Sequence, residues 1–441
     1  MSLYADIKKT ALAVLLLALG AGAASAAEDS QLAALVERAA VENPQIAAAR
    51  ERTQGAEEAL KEAGVRLGPK AAAAAGALWQ RDGMDPLKGQ EVPFVGLNLR
   101  VGYRNTYAAA IGLWQIIYSG GSLQANKQAA ALYRDSAKAQ EGRAVQTVSN
   151  GVRRAYFGLR CAQAKQLVAI EALSLTKRHL QQAEKLFAAG VVAKNDVLRS
   201  KVAAASAELD LIRAENASAV ALVALRRAVG GELTEKLEEK RPLEAILTGG
   251  MTEPQDIKAD VDSAFELREE LKVYTLLSKQ AEKLARAAEG QLLPQIAAMA
   301  GWVSADDKFF PTEQNEPAAA LGVYWKFYDG GETRAKARQA RAKAKEFLYQ
   351  YDDMKNVVRM EVTEAELNLK SAVSRLNVAQ NQLTSSREDY RIAVRRYAEK
   401  VGTNIDTLDA RVALTNSMSE VVTAIYDIKT AEANLLYAMG K

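Results

Sequence analysis

The sequence predicts a mainly α-helical, elongated protein with a membrane β-barrel part, each chain being an internal duplication. Three observations lead there. From Gly120 to Phe187 no proline occurs, and apolar or small residues recur at alternating steps of three and four: Val145, Val148, Val152, Ala155, Leu159 and Ala162, then Ala169, Leu173, Thr176, Leu180, Ala183 and Phe187. That is a heptad seam on one helix. At roughly 1.5 Å per residue such a helix is on the order of 100 Å long. It cannot fold back into a compact core and needs neighbours along its whole length. The second observation is that the stretch occurs twice. Adding 210 to each number turns Tyr118-Ser119-Gly120-Gly121 into Tyr328-Asp329-Gly330-Gly331 and sets a second seam on Val358, Val362, Ala365, Leu369, Ala372, Leu376, Ala379, Leu383, Tyr390, Ala393 and Tyr397. The register runs without a gap from Tyr118 to Gly230, which falls on Gly440. An ungapped offset of that length marks a duplicated segment. Third, all four tryptophans, Trp79, Trp114, Trp302 and Trp325, lie in four short segments of strand character, together with Tyr118, Tyr324 and Tyr328.

The chain opens with Lys8 and Lys9, an apolar run from Ala11 to Leu19, and the small residues Ala24-Ser25-Ala26. This is a secretory signal peptide over residues 1–26, with cleavage expected after Ala26. No cysteine stands directly after that point, where Ala27 lies, so no N-terminal lipid anchor is expected, and no later apolar run is long enough for a spanning helix.

Residues Asp29 to Val65 read as helix, broken at Asn43-Pro44 and ended by Pro69. A strand is expected over about 70–80, closing on Leu78-Trp79. Arg81 to Thr106, with Pro86, Pro93 and several glycines, reads as a long polar loop. Tyr107 to Tyr118 alternates and reads as the second strand, 107–118. The long helix covers about 121–188. Asp196 is placed to cap a return helix over about 195–230, stopped by Gly230-Gly231. The first repeat is therefore 27–231. Residues Glu232 to Lys258 are charged, contain Pro242 and Pro254, and read as a linker within 232–260. The second repeat, 261–441, follows the same plan: Pro294 echoes Pro69, strands fall at about 295–304 and 318–328, the long helix at 331–398 and the return helix at 405–439. Pro294 lies 225 residues after Pro69, not 210, so the loop from Ser304 to Pro317 is the shorter of the two.

Net charge is +4 over 441 residues, and without the leader 56 − 53 = +3, which gives no footprint for a polyanion. The single Cys161 forbids an intramolecular disulfide and reads as a small packed residue. The single His179 reads as packed or solvated, not catalytic. No nucleophile–base set, metal cluster or phosphate loop is present, and one histidine leaves little acid–base chemistry near neutral pH. An enzyme is not expected, nor a cofactor or metal.

Tryptophan and tyrosine concentrate at membrane–water interfaces, and outer-membrane barrels carry such girdles. Trp79, Trp114, Trp302, Trp325 and Tyr324 are candidates for one. Four strands cannot close a barrel, and open edges do not survive in lipid. Several chains must then share it, and a trimer supplies 4 × 3 = 12 strands.

With the leader, the Asn43-Pro44 entry, Pro69 and Pro294 before the first strand of each half, and the two aromatic-x-Gly-Gly strand exits, the chain resembles the TolC-like outer-membrane efflux family. The helix-tip signatures add to this: Phe187-x-x-Gly190-x5-Asp196-Val197-Leu198 and Tyr397-x8-Asp406-Thr407-Leu408-Asp409. The resemblance implies a homotrimer, with a 12-stranded β-barrel in the outer membrane continued by a 12-helix α-barrel into the periplasm. It implies an exit duct for tripartite efflux or type I secretion, the linker forming a belt, and the helix tips facing a periplasmic adaptor and an inner-membrane pump. The residues alone leave open a second reading, a periplasmic coiled-coil scaffold without a pore.

Asp406 and Asp409, three apart at a helix start, share a face and would set six carboxylates around a trimer axis. By resemblance they are aperture residues, and Tyr397 and Lys400 resemble the family's closing contacts between neighbouring helices, while Asp196, at the equivalent first-half position, reads as a cap or latch partner. Helix capping also favours aspartate there. Gly190, Val191, Val192, Val401 and Gly402 would form the adaptor-docking tips. One departure stands out: where the first tip has Gly190, the second has Lys400, with glycine two residues later at Gly402. A second tip of different shape is expected.

Overall fold

The computed structural model describes residues 30–79, 90–94, 97–101, 105–233, 237, 239, 241–249, 260–306, 309 and 315–441. The signal peptide, 1–26, lies outside these residues. Nine helices and six strands follow among them: α1 (30–42), α2 (Pro44–Val65), β1 (Lys70–Trp79), β2 (Gln90–Phe94), β3 (Leu97–Val101), β4 (Asn105–Tyr118), α3 (Ser122–Ala188), α4 (Lys194–Val229), α5 (Leu243–Gly249), α6 (Val261–Leu267), α7 (Glu269–Gly290), β5 (Gln295–Asp306), β6 (Asn315–Tyr324), α8 (Glu332–Ala398) and α9 (Asn404–Ala438). Both long helices, α3 and α8, have 67 residues. Contacts divide the chain into two compact units, one holding Arg50–Gln140 with Glu270–Met354 and the other the remainder.

The first unit carries a four-stranded antiparallel sheet in the order β1-β4-β5-β6. The centre is the β4–β5 pair, with Ile111 opposite Trp302 and Trp114 opposite Met299. β1 pairs with β4 from Lys70–Trp114 to Trp79–Asn105, and β6 with β5 from Gln295–Tyr324 to Ser304–Asn315. Among the described residues, the other edge of β1 and the other edge of β6 pair with nothing. Gly120 and Gly290 show how closely the β4–α3 junction meets the end of α7. Gly120 has φ 63°, and a Cβ there would lie 2.1 Å from the Gly290 carbonyl oxygen, so only glycine fits. Ser278 donates to the Ala344 carbonyl (3.0 Å), and Lys138 pairs with Glu57 at 3.0 Å on the surface.

In the second unit, α1, α2, α3 and α4 enclose a core of Leu35, Ala39, Ile46, Val148, Val152, Tyr156, Leu159, Leu225 and Val229, with Leu233 and Leu237 against it. Asn43 explains the break between α1 and α2. Its Oδ1 accepts from the Gln45 amide (2.9 Å), capping α2, while its Nδ2 donates to the Ala228 carbonyl (2.8 Å) at the end of α4. The matching position between α6 and α7 is Arg268, fully buried. Its guanidinium donates to the Ala438 carbonyl (3.2 Å) and to Glu361 (2.5 Å). Ala438 is Ala228 plus 210, and Arg268 is Asn43 plus 225, so two different side chains close the end of each return helix.

Several expectations need correction. Within the stretch read as a loop, Arg81 to Thr106, β2 and β3 form a hairpin with Pro93 opposite Asn98. Proline is tolerated there because a two-stranded ladder leaves one side of each strand without partners; residues 80–89, 95–96 and 102–104 of that stretch are not among those described. The linker holds a short helix, α5, begun directly after Pro242, where a missing amide costs nothing. β6 ends at Tyr324, because β5 begins opposite it at Gln295; Trp325 therefore lies just beyond the strand, its indole N–H bonded to the Leu292 carbonyl (3.0 Å). Asp196 does not cap α4. The cap position is Ala193, with no side-chain bond, and Asp196 sits in the first turn.

Candidate functional site at the helix-hairpin tips

Both hairpin tips close by the same backbone pattern. In the first, Gly190 has φ 73°, its amide donates to the Phe187 carbonyl (2.8 Å) and the Val191 amide to Leu186 (2.9 Å). In the second, Lys400 takes the left-handed conformation at φ 66°; its amide donates to Tyr397 (3.2 Å) and the Val401 amide to Arg396 (2.9 Å). This is the αL helix ending in both. The expected difference in tip shape is therefore not found. Lysine adopts the strained φ, and Gly402 serves another purpose: a Cβ there would meet the Arg396 Cβ at 2.9 Å. Val191 and Val401 are exposed, Val192 and Gly402 half-buried.

α9 begins with a reciprocal cap. Thr403 Oγ1 accepts from the Asp406 amide and the Asp406 carboxylate accepts from the Thr403 amide, both at 3.2 Å. These bonds with Thr403 hold the Asp406 carboxyl below the usual carboxylate range. Asp406 thus caps the helix, and its side chain is exposed on the helix surface. Asp409 is exposed on the same side, one turn on, while Asn404, Thr407 and Ala410 face the protein interior.

Beneath the aspartates lies a buried polar cluster joining the two hairpins. His179 of α3 shares a 2.6 Å hydrogen bond with Asn404 Oδ1 at the head of α9. Ser200 of α4 donates to the same oxygen at 3.3 Å and to the Asp196 carbonyl at 2.9 Å. Asn404 Nδ2 donates to that carbonyl at 3.1 Å. The Tyr397 ring of α8 lies 5.0 Å from the imidazole. All four side chains are buried. Asp196 lies near Tyr397 here, but the Tyr397 hydroxyl has no hydrogen-bond partner; burial, with the Asp196 charge nearby, raises its pKa. The bonds between hairpins run instead through His179, which the sequence reading took as packed or solvated, and through Ser200 and Asn404, which it did not single out. The available signal was Thr176, a polar residue on the seam of α3, with His179 next to the seam residue Leu180.

The aromatic candidates sit on or beside the sheet. Trp79, Trp302 and Trp325 are more than half exposed, as is Tyr324. Cross-strand register divides the set. Trp302 shares a face with Ile111, while Trp114 shares the other with Met299, and Lys70 lies over the Trp114 ring at 4.9 Å. Strands alternate with period two, so these residues cannot all form one girdle.

The sequence pattern of outer membrane efflux proteins matches residues 35–231 and 261–441, and the chain belongs to that family. Among solved structures, CusC is 16% identical with a TM-score of 0.79, covering 93% of this chain and 92% of that one. The outer membrane protein VceC of Vibrio cholerae is 20% identical, with a TM-score of 0.74 and coverage of 93% and 96%. The CmeC outer membrane channel of Campylobacter jejuni is 17% identical, with a TM-score of 0.77 and coverage of 93% and 85%. At these identities the likeness is one of fold. A comparison with curated protein sequences finds no match. Among the described residues no helix is long and apolar enough to cross a membrane, and no acidic, histidine or cysteine group of three could hold a metal.

Proposed function

We propose that three copies of this chain form an outer-membrane exit duct that works with a periplasmic adaptor and an inner-membrane pump. The observation that carries this is the sheet. β4 and β5 come from different repeats and pair inside the chain, while the outer edges of β1 and β6 have no partner strand among the described residues. Duplication makes β6 with the next copy's β1 the counterpart of β5 with β4. Three such steps close a ring without free edges, as lipid requires. The glycines agree with this account: Gly120 is wedged against Gly290, but its repeat counterpart Gly330 has open space around it. Exposed apolar rows on α4 (Leu198, Val202, Leu209, Ile212, Val220, Val223) and α8 (Met360, Leu367, Val378) also await a neighbouring copy.

In this reading each chain contributes a 27–231 repeat and a 261–441 repeat, the 232–260 segment belongs to a belt, and the barrel has 12 strands above 12 helices. Asp406 and Asp409 ring the periplasmic aperture, Tyr397 and Asp196 stand behind them, and Gly190, Val191, Val192, Val401 and Gly402 face the adaptor. Trp79 and Trp302, with the apolar side chains of Ile111, Leu113 and Leu321, belong to the lipid-facing side. Energy comes from the pump, and the chain itself has no catalytic cycle.

Conductance in planar bilayers tests the aperture. Replacing both Asp406 and Asp409 with alanine is expected to raise conductance and weaken block by divalent cations. Unchanged conductance with unchanged block would refute the ring.

A further inference from the structure

The buried cluster at the tips contains the only histidine of the chain, and its bonding fixes which tautomer the neutral ring adopts. The Asp196 carbonyl can only accept, so Asn404 must turn its Nδ2 toward it and its Oδ1 toward His179. An amide oxygen cannot donate. Nε2 must therefore carry a proton, and in the neutral ring Nδ1 is the unprotonated nitrogen. The groups facing it are Asn404 and Arg411 from α9, Tyr397 from α8, and Ser200 with the Asp196 backbone from α4; the Asp196 carboxylate faces Tyr397, and Tyr390 of α8 lies by Arg411. None of them places an anion against Nδ1.

We propose that His179 and Asn404 form a pH-sensitive latch between the α3/α4 hairpin and the α8/α9 hairpin: the neutral imidazole holds the two together, and its protonation favours their separation. This rests on the reading of the tips as an aperture. A second proton on Nδ1 would put a positive charge in a site 7% exposed, with Tyr397 and Asn404 at 4% and 3%, and with the Arg411 guanidinium close by. Burial first, and Arg411 in addition, push the imidazole below its ordinary value; the Asn404 bond opposes this only in part. In a parted tip the imidazole meets water and regains an ordinary value near 6.5. The sign follows. The closed tip has the lower pKa, so its advantage is complete above about pH 6.5 and shrinks as pH falls from there toward the closed-state value. Within that window each histidine raises the opening constant up to about tenfold per pH unit, and three acting together up to about a thousandfold.

The test uses the full-length protein extracted from membranes. Solid-state 15N spectra of histidine-labelled protein report a single imidazole, because the chain has one histidine. Expected are an Nε2-bound proton and titration below about 6.5. Bilayer conductance is then followed on acidification of the tip side from about pH 7.5 to about pH 5.5, above the carboxylate range. It should rise in the wild type and stay flat in His179→Gln, whose amide can still donate to Asn404 but does not titrate. Titration at the ordinary value, a flat wild type, or an equal rise in His179→Gln would overturn the latch. No conductance in any variant, including Asp406→Ala with Asp409→Ala, would overturn the channel reading, and the imidazole titration would still decide whether the buried neutral contact exists.

Discussion

Arg268 and Asn43 do the same job at matching places, and truncating each gives unequal, calculable losses. Arg268 is 1% exposed and bonds both the Ala438 carbonyl and Glu361. Removing one partner of a buried pair costs about 3–5 kcal/mol. Glu361 is itself 38% exposed and recovers water, which places the loss at the lower end, about 3 kcal/mol. Asn43→Ala loses an α2 cap and one bond to a carbonyl, together about 1–2 kcal/mol. Arg268→Met refills the volume without the donors and should fall between the two. The assay is thermal unfolding of the extracted protein by far-UV circular dichroism at one scan rate, since large assemblies unfold irreversibly. The expected order of midpoints is wild type, Asn43→Ala, Arg268→Met, Arg268→Ala. An Arg268→Ala midpoint equal to or above that of Asn43→Ala would refute the reasoning, because it would mean the buried guanidinium contributes no more than a simple cap.

Lys400→Gly should raise the midpoint slightly, by about 0.5–1 kcal/mol, because it relieves a left-handed lysine at φ 66°; Gly190→Ala should lower it by about 1 kcal/mol. Midpoints moving the other way would contradict the shared tip geometry. Gly120→Ala should prevent assembly into membranes, seen as loss of the extracted particle, since its Cβ has no room beside Gly290. Asp409→Asn should weaken cation block and leave the midpoint unchanged, whereas Asp406→Asn should change both, because only Asp406 closes the cap. Burial raises the Cys161 thiol above its ordinary value, so maleimide labelling at neutral pH should be slow in the folded protein and fast after denaturation. Burial works to raise the Glu239 carboxyl, but bonds from Arg241 outweigh it and the net shift is downward. This contact is therefore complete above the ordinary carboxylate range and lost as pH falls through the lowered value, which should appear as acid-induced loosening of the Arg241–Tyr426 contact by hydrogen exchange.

The second seam was legible nearly residue by residue. Val358, Val362, Ala365, Leu369, Ala372, Leu376, Ala379, Leu383, Ala393 and Tyr397 are buried, and only Tyr390 stays half-buried. The first seam was legible in part: Val148, Val152, Leu159, Thr176 and Ala183 are buried, but Val145, Ala155 and Leu180 are half-buried and Phe187 is exposed, and its middle was not legible. There Ala164, Val168 and Ala172 are buried, while Ala162, Ala169 and Leu173 are half-buried. The helix turns a different face inward where Arg160 and Gln163 bond Tyr156 and the Leu237 carbonyl, a contact with a distant segment that periodicity cannot register. Composition hid β2 and β3, because Pro93 reads as a breaker until the ladder shows it has a free side. At the tips, Lys400 read as a change of shape because its cost was weighed without the bonds that enforce the turn. His179 read as inert because its partner, Asn404, lies 225 residues away.

The duct exists only if three chains share one barrel. The direct measurement is the native mass of the particle extracted from density-separated membranes. A mass of three chains, found in the outer-membrane fraction, is the predicted result. A monomer or dimer in the soluble periplasmic fraction would contradict it, and would leave the long helices as a coiled-coil scaffold without a pore.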